Sequence, residues 1–191
     1  MACEVATRLP YNGHSSHNIT IRDALLSDAG AIAQIGADTF TATFGFSVPP
    51  DDLANYLAAT YSAHAIEVEL RDKKTTTFVA HDDLGIILGF VQLVRSSTEV
   101  CIPGEPASHA ELRRLYVDIT AQGRGIGSKL IAAVENNARA EGFKMLWLTV
   151  WEDNRDAKRL YETLHFGRVG EVDFATGNCI QTDWVMAKTL R

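Results

Sequence analysis

The chain has 191 residues, of which 46% are hydrophobic and 22% charged, and its formal net charge is −6. This length and composition predict one globular domain with its own core and exclude a disordered chain. The acidic balance argues against a protein that binds nucleic acid, and the longest apolar runs are too short to cross a bilayer.

The cysteine spacing and the first residues of the chain indicate the cellular compartment in which the protein is expected. Cys3, Cys101 and Cys179 are widely spaced, so they predict neither a metal site nor a disulfide framework. The chain does not open on a basic and apolar leader. We therefore expect a cytoplasmic protein in a reducing compartment, with no metal and no membrane partner.

The first half of the chain predicts one strand, a group of helices and a hairpin. Residues 1–17 lack periodicity and predict a flexible N-terminal arm. The alternation over 18–22 predicts a strand, and Ser27 and Asp28 can cap the next helix. Pro49-Pro50 forms a break, after which a second helix begins, and a short third helix covers 63–71. Two strands, 75–81 and 86–94, then flank an Asp-Asp-Leu-Gly turn.

The second half alternates strands with helices. A loop over 95–109 precedes a strand at 110–117, a helix at 125–141 and an apolar strand at 145–151. The chain ends with a helix over 154–164 and two strands, near 166–174 and 179–187. This order predicts a single α/β domain over 18–191, with a mixed central sheet flanked by helices.

A glycine-rich turn, residues 122–127, separates the strand at 110–117 from the next helix. Such a turn can bind an anion, because helix N-termini leave N–H groups unpaired and glycine allows close approach. A Walker loop is disfavoured, because Ser128-Lys129 has the wrong order. A dinucleotide site is disfavoured by the glycine spacing. The alternative that these residues form an ordinary strand-to-helix turn without a ligand is not excluded by the glycines.

Two motifs together resemble the GCN5-related N-acetyltransferases. Gln122-x-x-Gly125-x-Gly127 comes after Leu-Arg-Arg-Leu-Tyr-Val and is similar to motif A, which binds the acetyl-CoA pyrophosphate. The segment Asn154 to Glu162 is similar to the N-x-x-A-x-x-x-Y/F pattern of motif B. The resemblance covers residues 18–189 and implies two splayed parallel strands, at 110–117 and 145–151. It also implies a bulge in the first of these strands.

A narrower resemblance points to the PaiA-type spermine/spermidine acetyltransferases. It rests on Phe40 to Phe44, on the segment Trp147 to Glu152, and on Gln181 to Lys188. One departure is His165, where the superfamily usually has glycine. We expect His165 to close its helix at positive φ without the freedom of glycine.

The resemblance implies a set of cofactor-binding residues. Backbone groups of the bulged strand would bind the pantetheine arm, and N–H groups of the glycine turn would surround the pyrophosphate, with Arg124 beside it. The full set is Leu115, Tyr116, Val117, Gln122, Gly123, Arg124, Gly125, Gly127, Ser128, Asn154 and Lys158. Core packing, surface solvation and helix capping by Asn154 are the competing interpretations.

The resemblance also implies two catalytic residues. Tyr161 would be the general acid toward the coenzyme A sulfur, since a phenol and a thiol have comparable pKa values. Tyr161 lies two helical turns from Asn154 and so on the same face of the helix, and Lys158 lies between them on that face. A core tyrosine on an amphipathic helix is the competing interpretation. Glu111 would relay the proton of the amine. Glu152 and Asp153 would instead orient a cationic substrate.

The sequence therefore predicts an acetyl-CoA-dependent N-acetyltransferase acting on a small primary amine, with a polyamine such as spermidine or spermine preferred. The candidates for substrate selection are Phe40, Phe44, Tyr56 and the loop at 96–109. A protein or peptide N-acetyltransferase and a non-catalytic acyl-CoA-binding module are the alternatives. The expected partner is the amine, without nucleic acid, and a homodimer stays open.

Overall fold

The computed structural model describes residues 18–177 and 179–191, so the predicted arm at 1–17 lies outside the described residues. Five helices and seven strands are found there. In chain order they are β1 (Thr20–Asp23), α1 (Ala29–Phe44), α2 (Pro50–Thr60), α3 (Ala63–Arg71), β2 (Thr75–His81), β3 (Ile87–Arg95), β4 (His109–Val117), α4 (Ile126–Ala140), β5 (Met145–Trp151), α5 (Arg155–Thr163), β6 (Gly167–Thr176) and β7 (Cys179–Thr189).

The strands form one mixed sheet in the order β1-β2-β3-β4-β5-β7-β6. Neighbouring strands run antiparallel except β4 and β5, which are parallel. The crossover between these two strands is α4, as the alternation of strand and helix predicted. The predicted α/β fold is confirmed.

Helices cover both faces of the sheet. On one face α4 and α5 bury a core that includes Ile126, Leu130, Val134 and Tyr161 against the sheet. On the other face α1 and α3 pack on Val79 and Phe90, and α2 adds partly buried side chains. We call these the α4 face and the α1 face. None of the helices in the described ranges is long and apolar enough to span a membrane.

Two local expectations differ from the structure. Asp28 precedes α1 but does not cap it, because its carboxylate accepts hydrogen bonds from Leu25 N–H at 2.7 Å and Arg22 Nη1 at 2.6 Å. The loop predicted over 95–109 is not wholly a surface loop. It buries Ile102 against Trp147 on the α1 face and forms a single 3₁₀ turn at Pro106–Ser108.

Candidate active site

The two parallel strands separate near the middle of the sheet. β4 and β5 are paired only where His109, Ala110 and Glu111 face Met145, Leu146 and Trp147. Beyond these pairs β4 continues to Val117 and β5 to Trp151 without contacting each other as strands. We call the resulting opening the β4–β5 gap. Backbone groups of β4 on this side have no strand partner, so they are available to a ligand.

A bulge in β4 accompanies the opening. The register with β3 shifts between Phe90 and Gln92, which pair with Tyr116 and Arg113, respectively. Arg114 lies between them on β4 and adopts φ +52°, a left-handed conformation that is unusual for a non-glycine residue. Its guanidinium is held by Glu69 at 2.5 Å. The bulge that the resemblance implied is therefore confirmed.

The glycine turn at the start of α4 is shaped for an anion. Gly123 and Gly125 have φ of +75° and +74°, and a methyl group built on either would contact nothing within 4 Å. Gly125 is the N-cap and offers no side-chain hydrogen bond to the helix. The helical hydrogen bond that reaches Gly125 is donated by Lys129 N–H, at 3.2 Å. The N–H groups before Lys129 are left for a ligand.

A cavity of about 980 Å³ connects this turn with the gap and with the α1 face. Its wall includes most of the predicted cofactor-binding residues: Leu115, Tyr116, Val117, Gln122, Gly123, Gly125, Gly127, Ser128 and Asn154. The predicted catalytic residues Tyr161 and Glu111 also line it. The structure thus brings together, in one cavity, segments that are far apart in the chain.

Two predicted cofactor-binding residues, Lys158 and Arg124, do not line this cavity. The Lys158 ammonium donates a hydrogen bond to the Glu152 carbonyl and lies 3.9 Å from the centre of the Trp184 ring. Lys158 therefore does not line the cavity as Tyr161 does, although the helical spacing placed both residues on one face. Arg124 is half-buried in the glycine turn. The cofactor roles of both residues stay predictions.

Tyr161 approaches the gap from the α4 face. It is 6% exposed, and its ring contacts Phe166 with centroids 5.8 Å apart. Burial, with a smaller effect from Tyr116, raises the pKa of Tyr161 above that of an ordinary phenol. The phenol therefore keeps its proton across the neutral range. Asn154 begins the same helix as its N-cap, accepting a hydrogen bond from Ala157 N–H at 3.1 Å.

Glu111 lies at the closed end of the gap and is already bonded on both oxygens. Arg113 donates to Oε1 at 2.9 Å and to Oε2 at 2.6 Å, and the Ser97 hydroxyl donates to Oε2 at 2.7 Å. Both carboxylate oxygens therefore already accept charge-assisted hydrogen bonds within the site. The predicted role of Glu111 as proton acceptor stays a prediction.

Asp183 is a cavity residue that the sequence did not mark as a functional candidate. It lies on β7, opposite Trp151 of β5, and is 9% exposed. Burial raises its pKa to about 6, an effect that the Thr149 hydroxyl partly opposes. Asp183 stands in the segment Gln181 to Lys188, but only its position beside the gap distinguishes it from other acidic residues.

Aromatic side chains form the wall of the cavity on the α1 face. Phe40 stacks on Tyr56 with centroids 4.5 Å apart, and Phe44 contacts Trp151 at 5.4 Å. Phe174 meets the edge of Tyr56 at 6.2 Å. Three predicted selection residues, Phe40, Phe44 and Tyr56, belong to this wall, whereas the loop at 96–109 does not line the cavity. An apolar wall of ring faces suits an alkyl chain or an organic cation.

The sequence pattern of the Acetyltransferase (GNAT) family matches residues 37–166, which begin within α1, extend past the end of α5 and include both catalytic candidates. The chain belongs to this family. The β4–β5 gap and the glycine turn both lie within the matched residues. The enzyme class is thus an acyltransferase.

Curated relatives agree on the class but not on the substrate. An uncharacterized N-acetyltransferase in the pepI 3' region of Lactobacillus delbrueckii subsp. lactis is 30% identical over 159 residues, covering 82% of this chain and 88% of that protein. Two relatives match only a third of the chain. The [ribosomal protein bS18]-alanine N-acetyltransferase of Haemophilus ducreyi is 37% identical over 60 residues, covering 31% of this chain and 41% of that protein. The spermine/spermidine N(1)-acetyltransferase of Bacillus subtilis is 36% identical over 64 residues, covering 33% of this chain and 42% of that protein.

A solved structure supports the fold. The PaiA N-acetyltransferase from Thermoplasma acidophilum, determined in complex with coenzyme A, superposes with a TM-score of 0.71 and 20% identity, covering 90% of this chain and 99% of that one. The residues of the present chain fit the same cofactor. The open space above Gly123 and Gly125 leaves room for a pyrophosphate against the α4 N-terminus.

Proposed function

We propose that this GNAT enzyme transfers the acetyl group of acetyl-CoA to a primary amine of a small molecule, with a polyamine such as spermidine or spermine as the preferred acceptor. The observation that carries the proposal is the single cavity that joins the glycine turn, Tyr161 and the aromatic wall. The amine nitrogen replaces the sulfur on the acetyl carbon, so that one proton goes to the sulfur and one leaves to water.

The cofactor would be held mainly by backbone groups. Bound acetyl-CoA supplies the acetyl group as a thioester, which is an activated acyl donor. The N–H groups at Gly125, Gly127 and Ser128 would bind its pyrophosphate, and the unpaired edge of β4 at Tyr116 and Val117 would bind the pantetheine arm. This arrangement fixes the thioester inside the gap, away from bulk water.

Tyr161 would then protonate the leaving sulfur. Its position on the cavity wall, and the burial that keeps the phenol protonated, support this role. The Tyr161 phenolate would then regain a proton from the nitrogen of the acetylated amine, which restores the phenol for the next cycle.

Charge and shape favour a cationic acceptor of alkyl character. The aromatic wall of Phe40, Phe44, Tyr56 and Trp151 offers ring faces to a methylene chain or an ammonium group. Asp183 adds a carboxylate beside it. The net charge of −6 further attracts cations. The partial match to the Bacillus subtilis spermine/spermidine enzyme points the same way.

A protein N-terminus is the second candidate acceptor. It is favoured by the partial match to the Haemophilus ducreyi enzyme, whose name gives an alanine of ribosomal protein bS18 as the acetylated residue. An N-terminal amine also carries a positive charge, so Asp183 would suit either acceptor. The two candidates differ in the group attached to the amine, since a peptide chain must leave the cavity and a polyamine need not.

The test is release of free thiol from acetyl-CoA with a panel of amines. We expect turnover with spermidine and spermine, and at least tenfold lower kcat/KM with a peptide that begins with alanine. The reverse order would replace the polyamine by a protein substrate. Tight acetyl-CoA binding with no thiol release from any amine would instead leave a non-catalytic binding module.

A further inference from the structure

Asp183 differs from the other acidic groups that face inward in this site. The described ion pairs at the cavity join Arg113 to Glu111 and Arg114 to Glu69. Within 18–177 and 179–191, no lysine, arginine or histidine forms an ion pair with Asp183, and burial is the main influence on its titration. A buried carboxylate without a cation costs stability. A cationic ligand would relieve that cost.

The position of Asp183 complements that of Tyr161. Asp183 faces the α1 side of the sheet, where its neighbours across β7 are Trp151 on β5 and Val172 on β6. Tyr161 belongs to the core of the α4 face. Tyr116 of β4 interacts electrostatically with both of them. The β4–β5 gap thus separates an acid on one face of the sheet from a carboxylate on the other.

We infer that Asp183 binds the ammonium group of the acceptor on the α1 face and takes one of its protons, so that a neutral amine enters the gap opposite Tyr161. This inference rests on the proposed amine acetylation. In the step, one N–H bond breaks, an O–H bond forms on the Asp183 carboxylate, and the electron pair stays on nitrogen. Asp183 later releases the proton to water, which restores the carboxylate.

Two features favour Asp183 over Glu111 for this step. The lone pairs of Glu111 are engaged by Arg113 and Ser97, so accepting a proton there would break an ion pair. For Asp183, the hydrogen-bond partner that influences its titration within 18–177 and 179–191 is the Thr149 hydroxyl, and accepting a proton would break no ion pair there. Trp151 is the β5 partner of Asp183 in the sheet and its ring contacts Phe44, so the methylene chain of an aliphatic amine would pack on rings while its ammonium meets the carboxylate.

The other titratable groups that line the cavity or lie on the neighbouring elements are neutral, paired or exposed. Burial raises the pKa of all four tyrosines of the cavity, Tyr56, Tyr61, Tyr116 and Tyr161, so they stay neutral. Arg113 and Arg114 are paired, as is Glu111. Asp156 is exposed at the start of α5, Glu152 is exposed after β5, and Glu171 and Asp173 of β6 are exposed. Thr39 and Thr43 are the α1 polar side chains at the cavity, and they do not titrate.

The first experiment measures binding and does not depend on turnover. The Asp183 carboxyl resonance is assigned by comparing the wild-type chain with Asp183→Asn, and its titration is followed by NMR with and without spermidine, butylammonium or an alanine-starting peptide. An ammonium bound there should lower the pKa of Asp183 by at least one pH unit. Asp173→Asn removes a carboxylate on the neighbouring strand and should leave the shift unchanged. A pKa of Asp183 that no amine alters overturns the inference.

The second experiment is the pH dependence of kcat/KM. Wild-type activity should fall below about pH 6 as Asp183 becomes protonated. Asp183→Asn should lower kcat/KM at pH 8 by at least tenfold and remove this limb. Thr149→Val should move the limb to higher pH, because it removes the group that opposes the raised pKa. An unchanged limb in Asp183→Asn assigns it to another group and contradicts the inference.

The two experiments separate this inference from the proposed function. Turnover of some amine by the wild type, with an Asp183→Asn variant that behaves identically, refutes the role of Asp183 and keeps the acetyltransferase. An amine-dependent shift at Asp183 without turnover of any amine refutes the acetylation and keeps the ammonium site.

Discussion

The two sides of the β4–β5 gap are built in different ways. On the α4 face, the cofactor side depends on backbone: the glycine turn, the free edge of β4 and the start of α4. On the α1 face, the acceptor side consists of side chains from α1, α2, β5, β6 and β7. Under the proposed function, the cofactor would be bound by backbone groups, which substitution leaves in place, and the acceptor would be chosen by side chains, which substitution changes.

The largest expected effect on activity comes from substituting Tyr161, the proposed general acid at the β4–β5 gap. Tyr161→Phe should lower kcat at least a hundredfold, since general acid catalysis contributes on that scale. The affinity for acetyl-CoA, measured by calorimetry, should change less than twofold because the backbone contacts remain. Tyr61→Phe, which removes a cavity hydroxyl on the α1 face, should have a much smaller effect on kcat. Equal losses in the two variants would contradict the assignment of the acid.

The acceptor side should be stabilised when its buried charge is removed. The pKa of Asp183 rises from 3.8 to about 6 on folding, so the folded chain binds the proton more tightly between these values. Stability therefore falls as pH rises through this window. Asp183→Asn should raise the free energy of unfolding by about 2 kcal/mol at pH 8 and by clearly less at pH 5.

Urea unfolding at both pH values measures this gain, with Asp173→Asn as the exposed control. A loss of stability in Asp183→Asn that is equal at the two pH values would show that the carboxylate stabilises the fold. That result would contradict the proposal that this side chain of the acceptor side serves the acceptor at a cost in stability.

The cofactor side should be sensitive to the backbone of the glycine turn. Gly125→Ala places a methyl group where the pyrophosphate would lie, and φ of +74° strains any side chain there. We expect about tenfold weaker acetyl-CoA binding by calorimetry, which corresponds to about 1.4 kcal/mol. The acceptor KM should change little.

Gly142→Ala is a matched control for this variant. Gly142 has φ of +86° with equally open surroundings, but it lies at the other end of α4, outside the cavity. Both variants should lose similar stability, and only Gly125→Ala should lose affinity. Equal acetyl-CoA affinities in the two would move the pyrophosphate site elsewhere.

The smallest expected effect lies at the end of α5. His165 has φ of +69°, as we expected for a residue that stands where the superfamily usually has glycine, and its side chain is exposed. His165→Gly should therefore stabilise the chain by about 1 kcal/mol in thermal unfolding, without changing activity. Ala132→Gly, at an exposed and ordinary helical position of α4, should instead lower the stability by a similar amount. A destabilised His165→Gly would mean that the imidazole makes contacts that outweigh the strain.

The sequence predicted the cofactor side better than the acceptor side, for a physical reason. The turn at 122–127 and the helix from Asn154 to Tyr161 are contiguous segments, so spacing alone places their groups. By contrast, Asp183 and Phe174 come from the last two strands. Their place on the same cavity wall as Phe40 and Trp151 could be recognised only once the sheet order was known. The position of the Lys158 ammonium could not be predicted for a different reason, because helical periodicity cannot show that it lies over the Trp184 ring.

Acetyl transfer should occur in the β4–β5 gap, with the cofactor side on one face and the acceptor side on the other. A crystal structure with coenzyme A joined through its sulfur and an acetyl bridge to spermidine tests this arrangement. We expect the pyrophosphate on the N–H groups of Gly125 to Ser128, the sulfur beside Tyr161, and the terminal ammonium of the polyamine along the aromatic wall, with the joined nitrogen within about 3 Å of Asp183. A polyamine arm directed to Glu111, or a nitrogen remote from Asp183, would contradict it.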